Sequence, residues 1–137
     1  MSHNQIDKIT LQSIPKITDP RGNLAVIEKA VLPYTIKRVY YLYDVPSDAA
    51  RGGHAHKEQQ EFLIAISGSF TVVLDDGQHK KEILLNKPDK GLLIPTGIWR
   101  ELNDFSSGAV CLVVSSGEFD ESDYIREYDD FLKLKNK

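Results

Sequence analysis

The sequence predicts an all-β fold, a sandwich or a barrel, from three observations. Short runs rich in β-branched and aromatic residues recur along the chain. Glycine, proline and aspartate interrupt them at spacings of roughly 8–12 residues. Helical periodicity is scarce before residue 118, whereas a parallel α/β fold needs helices between its strands.

The elements follow in order. The turn Asp19-Pro20-Arg21-Gly22-Asn23 leads into a strand over Leu24–Lys29. Ile36–Tyr43, Ile-Lys-Arg-Val-Tyr-Tyr-Leu-Tyr, has the residues a pleated surface favours. Phe62–Ser67 and Ser69–Leu74 flank Gly68, and Asp75-Asp76-Gly77 makes a hairpin turn into Lys80–Leu85. Gly91–Ile94 and Ala109–Ser115 complete the strands. Only the tail, Ser122–Leu134, reads as a helix, with Glu121 and Asp123 near its start and Lys133 and Lys135 near its end, as the helix dipole prefers. No repeat, linker or low-complexity segment divides the chain, so residues 1–137 are expected to form a single domain.

Composition narrows the function. With 17 basic and 20 acidic residues the formal net charge is −3, which gives no electrostatic basis for binding nucleic acid. The one cysteine, Cys111, lies in the apolar run Ala109–Val114 and reads as a buried hydrophobe, since apolar surroundings disfavour a thiolate. No stretch approaches the roughly 18 apolar residues of a membrane helix. Met1–Asp7 lacks the charged and apolar regions of a secretion signal. A cytoplasmic protein with no membrane partner is expected.

Two of the four histidines, His54 and His56, lie one residue apart in Arg51-Gly52-Gly53-His54-Ala55-His56. Alternate side chains of a strand share a face, so the two imidazoles aim together. Such a pair either binds a metal or moves protons near neutral pH. The spacing His-x-His, four residues, Glu61, six residues, Gly68 resembles the first motif of the cupins, which are double-stranded β-helix (jelly-roll) proteins. Pro95-Thr96-Gly97-Ile98-Trp99-Arg100 is similar to their second motif, Pro-x-Gly-x-x-His, up to its last position. There Arg100 replaces the histidine that completes a metal site.

A guanidinium stays protonated and offers no lone pair, so Arg100 cannot ligate a cation. His3 and His79, in a tail and a turn, are poor substitutes. The sequence thus predicts neither metal nor other cofactor. An arginine beside two histidines suits an anionic or oxyanionic ligand: the guanidinium grips phosphate or stabilises developing charge on oxygen. An imidazole can take a proton next to a carbonyl.

The resemblance then narrows. Ile36–Tyr41, Arg51–Lys57, Val73–Gly77, Asp104–Ser107 and Asp123–Asp129 look like the corresponding stretches of the sugar 3,4-ketoisomerases, in the same order, across residues 17 to 132. That family acts on dTDP-4-keto-6-deoxyglucose and moves the ketone from carbon 4 to carbon 3 without a metal. The resemblance implies His56 as the base, His54 as the residue that positions substrate or relays a proton, and Arg100 as support for the enediolate. It also implies a homodimer, which the apolar segment Ile36–Tyr43 would suit. Arg38, Tyr40 and Arg51 are candidates for holding the nucleotide sugar, and Arg21 for reaching the sugar. Glu61 has a weaker claim, as a partner of a histidine, and Trp99 reads as a packing residue.

Members of the family carry either His or Arg at position 100. An arginine is too weak an acid to deliver a proton readily to carbon 4, so Arg100 favours a gluco-configured 3-keto product over a galacto one. Arg21 counts against that, since it can alter how the sugar sits. Competing readings are a cupin nucleotide-sugar epimerase, a non-catalytic sugar-binding cupin and a metal-dependent cupin oxygenase.

Overall fold

The computed structural model describes residues 5–28 and 30–136. The strands among them are β1 (Leu11–Ser13), β2 (Lys16–Asp19), β3 (Gly22–Ala25), β4 (Arg38–Leu42), β5 (Arg51–His56), β6 (Glu61–Ser67), β7 (Phe70–Asp75), β8 (Lys80–Leu85), β9 (Lys90–Ile94), β10 (Trp99–Asn103), β11 (Val110–Ser115) and β12 (Tyr124–Ile125). One helix, α1 (Tyr128–Lys135), follows. Two five-stranded antiparallel sheets form, in the orders β1-β9-β6-β11-β4 and β12-β5-β10-β7-β8, while β2 and β3 make a separate hairpin. This is the jelly roll expected from the sequence.

Period-2 patterning builds the interior. On β7, Phe70, Val72 and Leu74 point inward and are fully buried, meeting Leu63, Ala65 and Val113 of the other sheet. Strand β6 reads as an unbroken apolar run because both of its faces are covered. Its other face, Phe62 and Ile64, packs against Ile14, Leu32 and Val114. Gly91 is required there, since a Cβ at that position would lie 2.0 Å from Cζ of Phe62.

The sequence located the strands well in the middle of the chain and less well at its ends. Lys80–Leu85 is found as read, and the strand expected over Leu24–Lys29 is β3, ending at Ala25, with Lys29 outside the described residues. The tail departs most. Asp120 accepts a hydrogen bond from the Ser122 amide and caps one 3₁₀ turn, Glu121–Asp123. Tyr124 and Ile125 then turn extended to pair with His56 and Ala55. The helix therefore starts at Tyr128, not Ser122, with Asp129 and Asp130 in its first turn and Lys133 and Lys135 in its last.

The helix is pinned back onto the sheet that carries the histidines. Phe131 is fully buried among Ala55, Trp99 and Ile125, and Tyr128 Oη donates to Asp75 Oδ2 at 2.6 Å. Trp99 packs against Phe131 and Tyr128, as its packing reading anticipated. Gly97, at φ 74°, makes the turn that returns the chain along β5, its amide donating to the His56 carbonyl at 2.8 Å. No helix among the described residues is long and apolar enough to cross a membrane.

Candidate active site

Between the sheets lies a cavity of about 240 Å³. Leu42, Leu63, Leu102 and Val113 give it an apolar side, and Tyr40, His54, Glu61 and Arg100 a polar one. Arg51, Tyr124 and Arg126 complete its lining. Ligand pockets run to roughly 300–1,000 Å³, so this space suits a single sugar ring better than a whole nucleotide sugar.

Strand register brings these groups together. Arg100 on β10 is the direct partner of His54 on β5. Tyr40 sits on β4 of the opposing sheet, on the inward set with Arg38 and Leu42, while Val39 and Tyr41 point outward. The sequence thus placed His54, Arg100, Tyr40 and Arg51 on one cavity. His56 is fully buried and does not line it.

Glu61 is the hub, a larger part than its sequence claim gave it. Its Oε1 accepts from Arg100 Nη1 at 2.7 Å, and its Oε2 accepts from Tyr40 Oη at 2.7 Å. Arg38 Nη2 lies 3.7 Å from Oε2, and His56 Nε2 lies 3.4 Å from Oε1. Burial alone would raise this carboxyl, but the contact with His56, the Arg100 charge and the Tyr40 hydroxyl hold it down at about 2. Tyr40 is correspondingly pushed well above the usual phenol range, by burial first and by Glu61 second. It is a hydrogen-bond donor and not an acid in use at neutral pH. Arg100 is 2 % exposed, and its Nη2 has no hydrogen-bond partner among the described residues. A buried guanidinium nitrogen left free beside a cavity is a donor waiting for an acceptor.

The imidazoles meet edge to face, with Nε2 of His54 3.1 Å from Nε2 of His56. Nδ1 of His56 lies 2.8 Å from Oδ2 of Asp123. Tyr124 stacks against both rings, at 4.9 Å and 4.5 Å between centroids. Burial, then Arg100 and His56, push His54 down to about 3, so its ring is neutral and able to accept a proton across the physiological range.

The other two expected binding residues sit elsewhere. Arg38 lies behind the cavity wall, donating to Gln59 Oε1 and Tyr124 Oη, with its guanidinium over the Tyr40 ring. It braces the wall and does not line it. Arg21 lies in the β2–β3 turn, its side chain 90 % exposed and paired with Asp19, away from the cavity. The sequence reading, in turn, gave no part in the site to Asp123, Tyr124 or Arg126. They lie in the tail stretch that resembles the family, and the pairing of β12 with β5 is what brings them to the histidines.

His54, His56 and Glu61 offer one ligand atom each, all within 4.8 Å of one another, a geometry able to hold a cation. The charges fit one poorly. Glu61 is already neutralised by Arg100 at 2.7 Å, and the guanidinium stands where a cupin metal site has its last histidine. A divalent ion would have to displace that pair and sit against a fixed positive charge.

A jelly roll with an inward His-x-His strand, a buried glutamate and Pro-x-Gly-x-x-Arg is a cupin whose third histidine is replaced. The chain belongs to the WxcM-like, C-terminal family (FdtA), which it matches over residues 7–136. It is 46% identical over 119 residues, 86% of each chain, to the TDP-4-oxo-6-deoxy-alpha-D-glucose-3,4-oxoisomerase of Aneurinibacillus thermoaerophilus. A 3,4-ketoisomerase from Helicobacter canadensis superposes with a TM-score of 0.91 at 43% identity, covering 94% of this chain and 98% of that one. A mutant of the 3,4-ketoisomerase QdtA from Thermoanaerobacterium thermosaccharolyticum, in complex with TDP-4-keto-6-deoxyglucose, also gives 0.91. That match has 39% identity over 99% of this chain and 96% of that one.

Proposed function

We propose that this protein is a TDP-4-keto-6-deoxyglucose 3,4-ketoisomerase that works by histidine acid–base catalysis through an enediolate. The observation that carries the reading is the register pair His54 and Arg100: a neutral imidazole and a buried guanidinium nitrogen with no partner among the described residues, on one sugar-sized cavity. The named relatives support the substrate and the isomerisation.

His54 takes the proton from carbon 3, which the neighbouring ketone acidifies, and the C–H electrons form the carbon 3–carbon 4 double bond of an enediolate. Arg100 holds the negative oxygen. A proton moves from the carbon 3 hydroxyl to the oxygen on carbon 4, and return of a proton to carbon 4 leaves the ketone at carbon 3. The sequence alone put His56 in the role of base. The geometry favours His54, because His56 is sealed behind it. Arg51 and Arg126 supply positive charge for the diphosphate.

The whole chain acts as one cupin domain with no metal or cofactor in the reaction. Arg100 donates hydrogen bonds but is too weak an acid to protonate carbon 4 from the opposite side. In a gluco product the hydrogen on carbon 4 lies on the ring face opposite the hydrogen that His54 took from carbon 3. Solvent on the side away from His54 therefore returns the proton, and the product has the gluco configuration. Arg21 lies outside the cavity of its own chain, paired with Asp19. The protein works as a homodimer. Val39, Tyr41 and Tyr43 along β4, and Ile17 and Leu24 on the hairpin, are exposed apolar residues that such contact would cover.

Incubation with TDP-4-keto-6-deoxyglucose in deuterated water, read by NMR, tests the proposal. The expected product is the gluco-configured 3-ketone with its nucleotide intact. A galacto product would overturn the configuration. Label at carbon 5 with the ketone still at carbon 4 would make the protein an epimerase, and binding without turnover would make it a sugar-binding cupin.

A further inference from the structure

Behind the two imidazoles stands a carboxylate that the mechanism above does not use. Asp123 is 6 % exposed. Its Oδ1 accepts from the Glu58 amide at 2.6 Å, and its Oδ2 accepts from the Gln59 amide at 3.3 Å. A carboxylate that collects backbone amides is held as an anion and acts only as an acceptor. The contact at 2.8 Å between Oδ2 and Nδ1 of His56 therefore has its hydrogen on the imidazole. Whenever the His56 ring is neutral, that choice leaves its Nε2 bare, and the hydrogen that Glu61 Oε1 attracts at 3.4 Å is present only while the ring is charged. The only hydrogen able to lie in the 3.1 Å gap between the two rings then belongs to Nε2 of His54. His54 in turn keeps its lone pair on Nδ1, which has no hydrogen-bond partner among the described residues.

We propose that Asp123 is a positioning residue for the isomerisation: it sets the tautomers of His56 and His54 in sequence, so that Nδ1 of His54, a residue of the cavity lining, is bare. The inference rests on the ketoisomerase reading and extends it. When Nδ1 of His54 takes the substrate proton, the hydrogen on its Nε2 passes to Nε2 of His56. The positive charge then rests on His56, between Asp123 at 2.8 Å and Glu61 at 3.4 Å. Return of that hydrogen to His54 accompanies loss of the Nδ1 proton to solvent while solvent supplies a proton to carbon 4 from the other face, and no proton is gained or lost overall. The arrangement resolves a difficulty in the site: burial and the nearby Arg100 oppose a charge kept on His54 itself. The charge moves one ring deeper, where two carboxylates receive it.

Asn at position 123 can still accept from an amide, but its NH₂ also donates, which permits the opposite tautomer of His56. For Asp123→Asn the expected result is a fall in kcat on the order of 10²–10⁴-fold, with KM for TDP-4-keto-6-deoxyglucose changed less than about threefold. A second measurement does not depend on the variant folding: NMR of wild-type protein labelled with ¹⁵N-histidine at neutral pH. It should show His56 protonated on Nδ1 and His54 on Nε2. Wild-type His56 carrying its hydrogen on Nε2 would overturn the relay, as would folded Asp123→Asn with kcat within about threefold of wild type. Wild-type protein that fails to isomerise the sugar would instead overturn the ketoisomerase reading, and the tautomers would show separately whether Asp123 sets them.

Discussion

Replacing Arg100 with methionine removes a charge from a buried pair while keeping most of the side-chain volume. Its partner Glu61 is 1 % exposed and titrates at about 2, against 4.5 for an ordinary glutamate. At roughly 1.4 kcal/mol per pH unit, ionised Glu61 favours the folded state by about 3 kcal/mol. Because the folded value is depressed, that stability is present above pH 4.5 and is lost as pH falls towards 2. Without Arg100, only His56 and Tyr40 offset the burial of the Glu61 charge, and breaking a buried pair typically costs about 3–5 kcal/mol. Domains of this size have only about 5–15 kcal/mol in total. Urea denaturation of Arg100→Met at pH 7 should therefore show a loss of about 3 kcal/mol or more. The gap to wild type should narrow as pH falls to 4, where Glu61 of the variant accepts a proton. Arg100→Met/Glu61→Gln should recover much of the loss. A loss below about 1 kcal/mol at pH 7, or a gap that stays constant with pH, would refute the reasoning.

Three further outcomes follow from the same geometry. With His54 held near 3 by burial and Arg100, kcat/KM should stay flat from pH 8 to about 5, whereas a fall centred near 6.5 would mark a solvated histidine as the base. Burial pushes the Cys111 thiol up to about 12, so Ellman's reagent at pH 8 should not react with native protein and should react fully in guanidinium; rapid native labelling would contradict the buried core. Gly91→Ala should destabilise the fold by about 1–3 kcal/mol in thermal or chemical melts, because its Cβ would enter the Phe62 ring; a neutral effect would mean that the face is loosely packed.

The sequence made the jelly roll legible where apolar runs or alternation were strong. Phe62–Ser67 and Lys80–Leu85 show their strands because each residue's face is decided locally by what it packs on. Strand β10 was harder to see: its only clear sign was Arg100 itself, at the end of a motif read for chemistry. The two histidines and Arg100 were legible because two imidazoles on one strand face and an arginine in place of the last motif histidine are unusual in a core. Asp123 was not. Its proximity to the histidines depends on Tyr124 pairing with His56 across 67 intervening residues, and read locally it looked like a helix-start charge. Arg21 differs from the other candidates: it sits in an exposed turn bonded to its neighbour Asp19, outside the cavity of its own chain. The roles of the two histidines were also beyond the sequence, because both share a face and only the cavity shows which ring is in front.

The most direct test is the exchange of the carbon 3 hydrogen of TDP-4-keto-6-deoxyglucose in deuterated water with His54→Asn. The account predicts that this variant binds the nucleotide sugar as wild type does and neither exchanges that hydrogen nor forms the 3-ketone. Exchange at the wild-type rate would mean that another group removes the proton, and His54 would no longer be the base.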